Sequence, residues 1–246
     1  MKRFYKDVGI RPETDGFSIL VDNMPVRTPG RALLTVPTQA LADRIAEEWR
    51  SQGEEIDPRA MRFTGMANAA IDRIAPDPAP YIADIARYAE SDLLCYRALE
   101  PEPLVARQVA AWNPLLDWAE RFYDVQFEIT QGIIPVTQAE ATLNRLGAAV
   151  AKYPAFVLAP LSILTTLGGS LVASLAIAEG HQSAAKLWPV VVLDELWQEE
   201  MWGADSDAQK ARAFHEQEWM DAAEFLRLVV DNDKPHPSNS PEGKGL

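Results

Sequence analysis

Between Leu187 and Gln209 six carboxylates, Asp194, Glu195, Glu199, Glu200, Asp205 and Asp207, are interleaved with Trp188, Trp197 and Trp202, and no Lys, Arg or His interrupts them. Acids at this spacing could hold a divalent cation for hydrolysis, or they could face a cationic partner. The tryptophans favour contact, because each indole offers a large apolar area with a single polar donor. At helical periodicity Leu193, Leu196, Trp197 and Met201 form one apolar stripe, which leaves Glu195, Gln198 and Trp202 together on the opposite side. Two alternatives stay open: Trp202 faces outward toward a partner, or a second element covers it and the acids solvate the rim.

Other chemistry is sparse. His215-Glu216 opens like a zinc-binding helix, but Trp219 stands where the second histidine would have to be. His215 and Glu218 instead fall on an apolar stripe with Ala211, Ala222, Phe225 and Val229, as a hydrogen-bonded core pair would. Gly168-Gly169-Ser170 has no lysine and follows no strand, so it is not a phosphate loop, and no Gly-x-Ser-x-Gly elbow occurs. Cys95 has no histidine near it in sequence. Carboxylate pairs such as Asp194-Glu195 and Glu199-Glu200 arise readily in an acidic chain, and sequence does not fix the separation that hydrolysis needs. The residues therefore specify no enzyme, no metal site and no cofactor. Two further clusters, Ser91 to Arg97 and Trp112 to Trp118, read as packing plus a charge, with Asp92 and Arg97 expected to pair where two parts of the chain meet.

The elements that position these residues can be read from composition and pattern. At 246 residues the chain can bury a substantial core as one or two domains. Its 23 basic against 36 acidic residues give a formal charge of −13, which would repel nucleic acid or an anionic bilayer. One cysteine cannot form an internal disulfide, and the start lacks a secretory signal, so a cytoplasmic address is expected. Tyr153 to Ala178 is uncharged and long enough to span a bilayer, but Pro154, Pro160, Gly168-Gly169 and five hydroxyl residues argue for a buried helix rather than membrane insertion. The expected fold class is α+β: a small N-terminal antiparallel β-containing domain (1–75, with its first helices), a larger α-helical bundle domain (76–231) and a disordered tail (232–246). Strands are expected at Arg3 to Val8, Phe17 to Val21 and Ala32 to Val36. Next comes a helix capped by Thr38 and ended by Gly53, then helices at Phe63 to Ile74, Tyr81 to Ser91, Leu104 to Ala111, Pro114 to Phe122, Gln138 to Ala151, Pro160 to Glu179, Ala184 to Trp202 and Ser206 to Val230. Ala75 to Pro80 reads as the hinge.

Taken in order, Lys2 to Lys6, Arg27-Thr28-Pro29, Val36-Pro37-Thr38, Glu48-Trp49 with Gln52, Met61 with Thr64, Ala70-Ile71-Asp72, Asp92 to Arg97, Gln108 with Trp112 and Pro114, and Glu195, Gln198 and Trp202-Gly203 resemble one family. It is the chaperone family that assembles F-type ATP synthase by handling the α subunit of the F(1)-ATPase. The resemblance runs from Lys2 to about Val229. It implies a non-enzymatic holdase that binds the free α subunit transiently and shields its β-facing surface. It also implies that Glu195 is the functional acid, with Gln198 and Trp202 beside it. Asp194 and Glu199 are expected as further contacts, although Glu199 departs from the family's pattern, and Asp92, Arg97 and Trp112 are expected as junction or structural residues. Mitochondrial members carry a presequence that this chain lacks, which implies a bacterial cytoplasm. Two rivals stay open: from the residues, a carboxylate-dependent metal hydrolase at Asp194, Glu195 and Glu199, and, from the resemblance, a structural accessory subunit of the synthase.

Overall fold

Asp22 and Asn23 both adopt left-handed backbone angles, φ 46° and 66°, as a tight two-residue hairpin requires. They fold strand β3 (Met24–Pro25) back onto β2 (Gly16–Val21), which also pairs antiparallel with β1 (Val8–Glu13) and β4 (Thr35–Val36). The computed structural model describes residues 2–132 and 134–230; the expected disordered tail lies outside them. The first strand begins at Val8 rather than Arg3, because the opening residues are engaged elsewhere. The Arg3 backbone N–H donates to the Glu54 carbonyl at 2.8 Å, and its guanidinium donates to the Gln52 carbonyl at 2.6 Å. This ties the N-terminus to the end of helix α1 (Gln39–Arg50).

Thr38 caps α1 as expected, its hydroxyl accepting from the Leu41 N–H. The same hydroxyl donates to the Leu228 carbonyl at 2.6 Å, binding α1 to the far end of the chain. Gly53 does not end the helix; Ser51 is its C-cap. Helix α2 (Arg62–Ala69) has no cap from its own N-cap residue, Met61. Instead the buried Glu48 reaches across from α1 and accepts from the N–H groups of Phe63 and Thr64 and from the Thr64 hydroxyl, each at 2.8 Å. The helix passes into a π turn, Ala70–Ile74, whose Asp72 accepts from the Thr28 hydroxyl and the Gly30 N–H and so pins the loop after β3.

Helix α3 (Ala79–Ala86) comes next, and strand β5 (Tyr96–Arg97) pairs in parallel with β6 (Thr130–Gln131). Helix α4 (Glu102–Tyr123) runs unbroken through Pro114, where two helices were expected. Trp112, Leu115, Leu116 and Ala119 bury one continuous stripe across the proline, which offsets its cost of about 3 kcal/mol. After α5 (Glu140–Val150), the uncharged stretch forms two helices, α6 (Ala155–Gly168) and α7 (Leu171–Ala178). Gly169, at φ 61°, turns the chain between them, and the Ser170 hydroxyl caps α7 through the Ala173 N–H. No helix among the described residues is long and apolar enough to cross a membrane.

Helices α8 (Ala184–Val191), α9 (Leu193–Trp202) and α10 (Ser206–Val230) complete the fold. The first turns of α10 stand clear of the core and burial begins at Trp219, so His215 is exposed rather than part of a core pair. Helix α1 packs on α10 and α2, α2 packs on α10 and α6, and one apolar core extends from Tyr5 to Leu228.

Candidate partner-contact surface

Helix α9 is held from behind by a chain of hydrogen bonds that begins in β5. Arg97 donates to the Gln108 carbonyl at 2.8 Å and to Asn113 Oδ1 at 2.7 Å, and lies over the Trp112 ring. The Trp112 indole donates to the Val190 carbonyl at 2.9 Å, fixing the end of α8. Gln108 donates to Asp194 at 2.8 Å, fixing the start of α9. The expected Asp92–Arg97 ion pair does not form. Asp92 is fully buried and turns instead to the N–H groups of Leu94 and Val172, both at 3.0 Å, which locks its segment to the start of α7. Burial pushes its carboxyl up to about 6, against the pull of those hydrogen bonds. The Cys95 thiol beside it is buried and pushed up to about 12 by desolvation, reinforced by the Asp92 charge, so it is no nucleophile.

The acidic stretch has no cation of its own, yet Lys210 pairs with Asp207 just beyond it, and the fold brings two arginines to α9 from other helices. Arg107 of α4 pairs with Glu200 at 2.7 Å and lies 4.7 Å from the centre of the Trp197 ring. Arg212 of α10 pairs with Glu199, which also accepts from Gln209. The Arg212 hydrogen bond, then that of Gln209, holds Glu199 below the usual carboxylate range. Nothing local in sequence marks Arg107 or Arg212 as partners of α9, since both lie on other helices.

Glu195, Gln198 and Trp202 share the outer face, as their spacing predicts, and all three are exposed, Trp202 by 78%. The nearest cation to Glu195 is Arg212, at 4.0 Å. Met201 departs from expectation: it is 52% exposed, because only Trp197 of its stripe is buried and the end of α9 overhangs. Between that overhang and the start of α4 lies an open groove of about 410 Å³, lined by Pro101, Leu104, Trp197, Gln198, Met201 and Trp202 together with Glu100 and Asp194. Larger clefts of about 480 and 770 Å³ open beside α6 and the end of α10, but neither is lined by tryptophan.

Asp194, Glu195 and Glu199 do not converge as metal ligands would. Asp194 is taken by Gln108 and Glu199 by Arg212, and among the described residues no cluster of His, Cys, Asp or Glu could hold a metal. Charge is distributed unevenly along the chain. Residues 1–75 carry eleven basic and eleven acidic side chains, and residues 76–246 carry twelve and twenty-five, so the entire −13 belongs to residues 76–246. Such a surface favours a cationic or apolar partner over an anionic one.

Known proteins share this fold. The crystal structure of Atp12 from Paracoccus denitrificans superposes with a TM-score of 0.88 at 41% identity, covering 93% of this chain and 98% of that one. A protein from Agrobacterium tumefaciens, described as a candidate chaperone, superposes at 0.87 with 39% identity over 93% of this chain and 86% of its own. The mitochondrial atp12 protein of Schizosaccharomyces pombe is 23% identical over 221 residues, 85% of this chain and 76% of its own length. Residues 2–120 match the family model described as ATP12 chaperone protein. On its fold and on this level of identity, the chain belongs to the ATP12 chaperone family.

Proposed function

We propose that this protein binds the free α subunit of the F(1)-ATPase and covers the apolar surface that later faces the β subunit, until assembly displaces it. The observation that carries the reading is the outward Trp202 beside Glu195, on a helix braced by Arg107 and Arg212. A large exposed apolar side chain on a rigid scaffold is what a docking surface needs, since little ordering entropy is lost on binding. Membership of the ATP12 chaperone family supports the same reading. In this reading the protein acts as a holdase and not as an enzyme, in a bacterial cytoplasm; the relative from Paracoccus gives a bacterial precedent for the fold.

Gel filtration of the purified protein with purified α subunit tests this. A complex should form, and added β subunit should displace the chaperone as it takes up α. A stable ternary complex would contradict shielding of the β-facing surface. Mass spectrometry of the intact synthase should find the protein absent; its presence there would make it an accessory subunit.

A further inference from the structure

We infer that the groove between the start of α4 and the overhanging end of α9 receives a bulky apolar side chain of the partner that is flanked by a Lys or Arg. This deepens, and rests on, the proposed binding of the α subunit. Most of the lining is apolar, with Leu104, Trp197, Met201 and Trp202 joined by the uncharged polar Gln198. Leu104 and Trp197 are buried by the fold, whereas Met201 and Trp202 are 52% and 78% exposed, so these two are left for another molecule to cover.

Charge decides what that molecule carries. Of the two carboxylates that line the groove, Asp194 is taken by Gln108, and Glu100 has no hydrogen-bond or ion-pair partner among the described residues. Glu195, on the outer face of α9, has Arg212 at 4.0 Å. Among the described residues no cation lines the groove. An apolar occupant alone would bring uncompensated acids toward a drying interface; one with an adjacent Lys or Arg answers both the lining and the rim. An anionic segment is disfavoured by the same carboxylates and by the −13 of the whole chain.

The test uses the full chain and purified α subunit. Met201→Lys places a cation over the groove at a position exposed enough to leave folding intact, which a melting curve checks. Binding by calorimetry should weaken by about tenfold or more. Glu100→Lys should weaken binding severalfold and flatten the loss of affinity that added salt causes in the parent. Binding of Met201→Lys at parental strength, or an unchanged salt dependence in Glu100→Lys, overturns the groove assignment. If Trp202→Ala abolishes binding while Met201→Lys does not, the docking face stands and the groove falls. If the parent itself does not bind α subunit, both readings fall together.

Discussion

Replacing Trp202 by Ala should separate binding from folding. The indole is 78% exposed, so the fold loses little packing without it, and surface substitutions of this kind usually shift stability by less than about 0.5 kcal/mol. Covering it with a partner is another matter. A tryptophan can bury up to about 250 Å². At about 25 cal/mol per Å² its exposed share sets an upper bound of about 5 kcal/mol. Truncation of central interface aromatics costs about 2–4 kcal/mol, which corresponds to a loss of about 30- to 1,000-fold in affinity. Glu195 behaves differently. An exposed ion pair contributes at most about 1 kcal/mol, so Glu195→Gln should be mild. Glu195→Lys should be severe, because it sets like charge against a cation in the contact. Calorimetry with α subunit reads the affinities, light scattering reads protection of α subunit from aggregation, and melting curves read the fold. A Trp202→Ala protein that protects as well as the parent, or that melts well below it, would refute the reasoning.

The fold itself sets three further outcomes. Glu48→Gln replaces one acceptor by a donor at the buried start of α2, leaving a Phe63 or Thr64 N–H unmatched; urea unfolding should show a loss of about 1–3 kcal/mol, and a parental midpoint would refute the capping role. Gly168→Ala would put a methyl 2.6 Å from the Trp219 ring, whose indole is held by the Ala184 carbonyl; overpacking should cost about 1–3 kcal/mol, read as a melting point lower by several degrees. Asp92 should make stability rise as the solution is acidified from neutrality. Its carboxyl is raised from 3.8 to about 6, so the folded state holds the proton more tightly than the unfolded one. The cost of ionisation is full above the folded value and is relieved between about 6 and 4, by at most about 3 kcal/mol. Glu48, raised by burial against its hydrogen bonds, acts in the same direction. The urea midpoint of the parent minus that of Asp92→Asn should therefore rise from about pH 7 to pH 5; a constant difference would remove the argument.

What could be read in the sequence and what could not divide along a physical line. Local rules located the outward face of α9 and the Thr38 cap, because each depends on a few adjacent residues. Residues that carried the family resemblance were visible as identities but not as roles. Glu48 serves a helix fifteen residues away, Asp72 a loop before α1, and Gln108 and Trp112 a helix corner some eighty residues on. Periodicity failed where tertiary context overrode it. It placed His215 in the core because it assumed that α10 is covered along its whole length, and it split α4 because proline usually ends a helix. It also paired Asp92 with Arg97, when two backbone N–H groups at the start of helical turns compete better for a buried carboxylate than a guanidinium already engaged by Gln108 and Asn113.

The uneven distribution of acids has a consequence for how two molecules meet. Residues 76–246, which include α9, carry all of the net charge, so a cationic polypeptide diffusing past is drawn toward an acidic segment before any side chains touch. At physiological ionic strength this pull is confined to the last ~8 Å of approach, so the rate of productive encounter, more than the lifetime of the complex, is the quantity that cellular salt would tune.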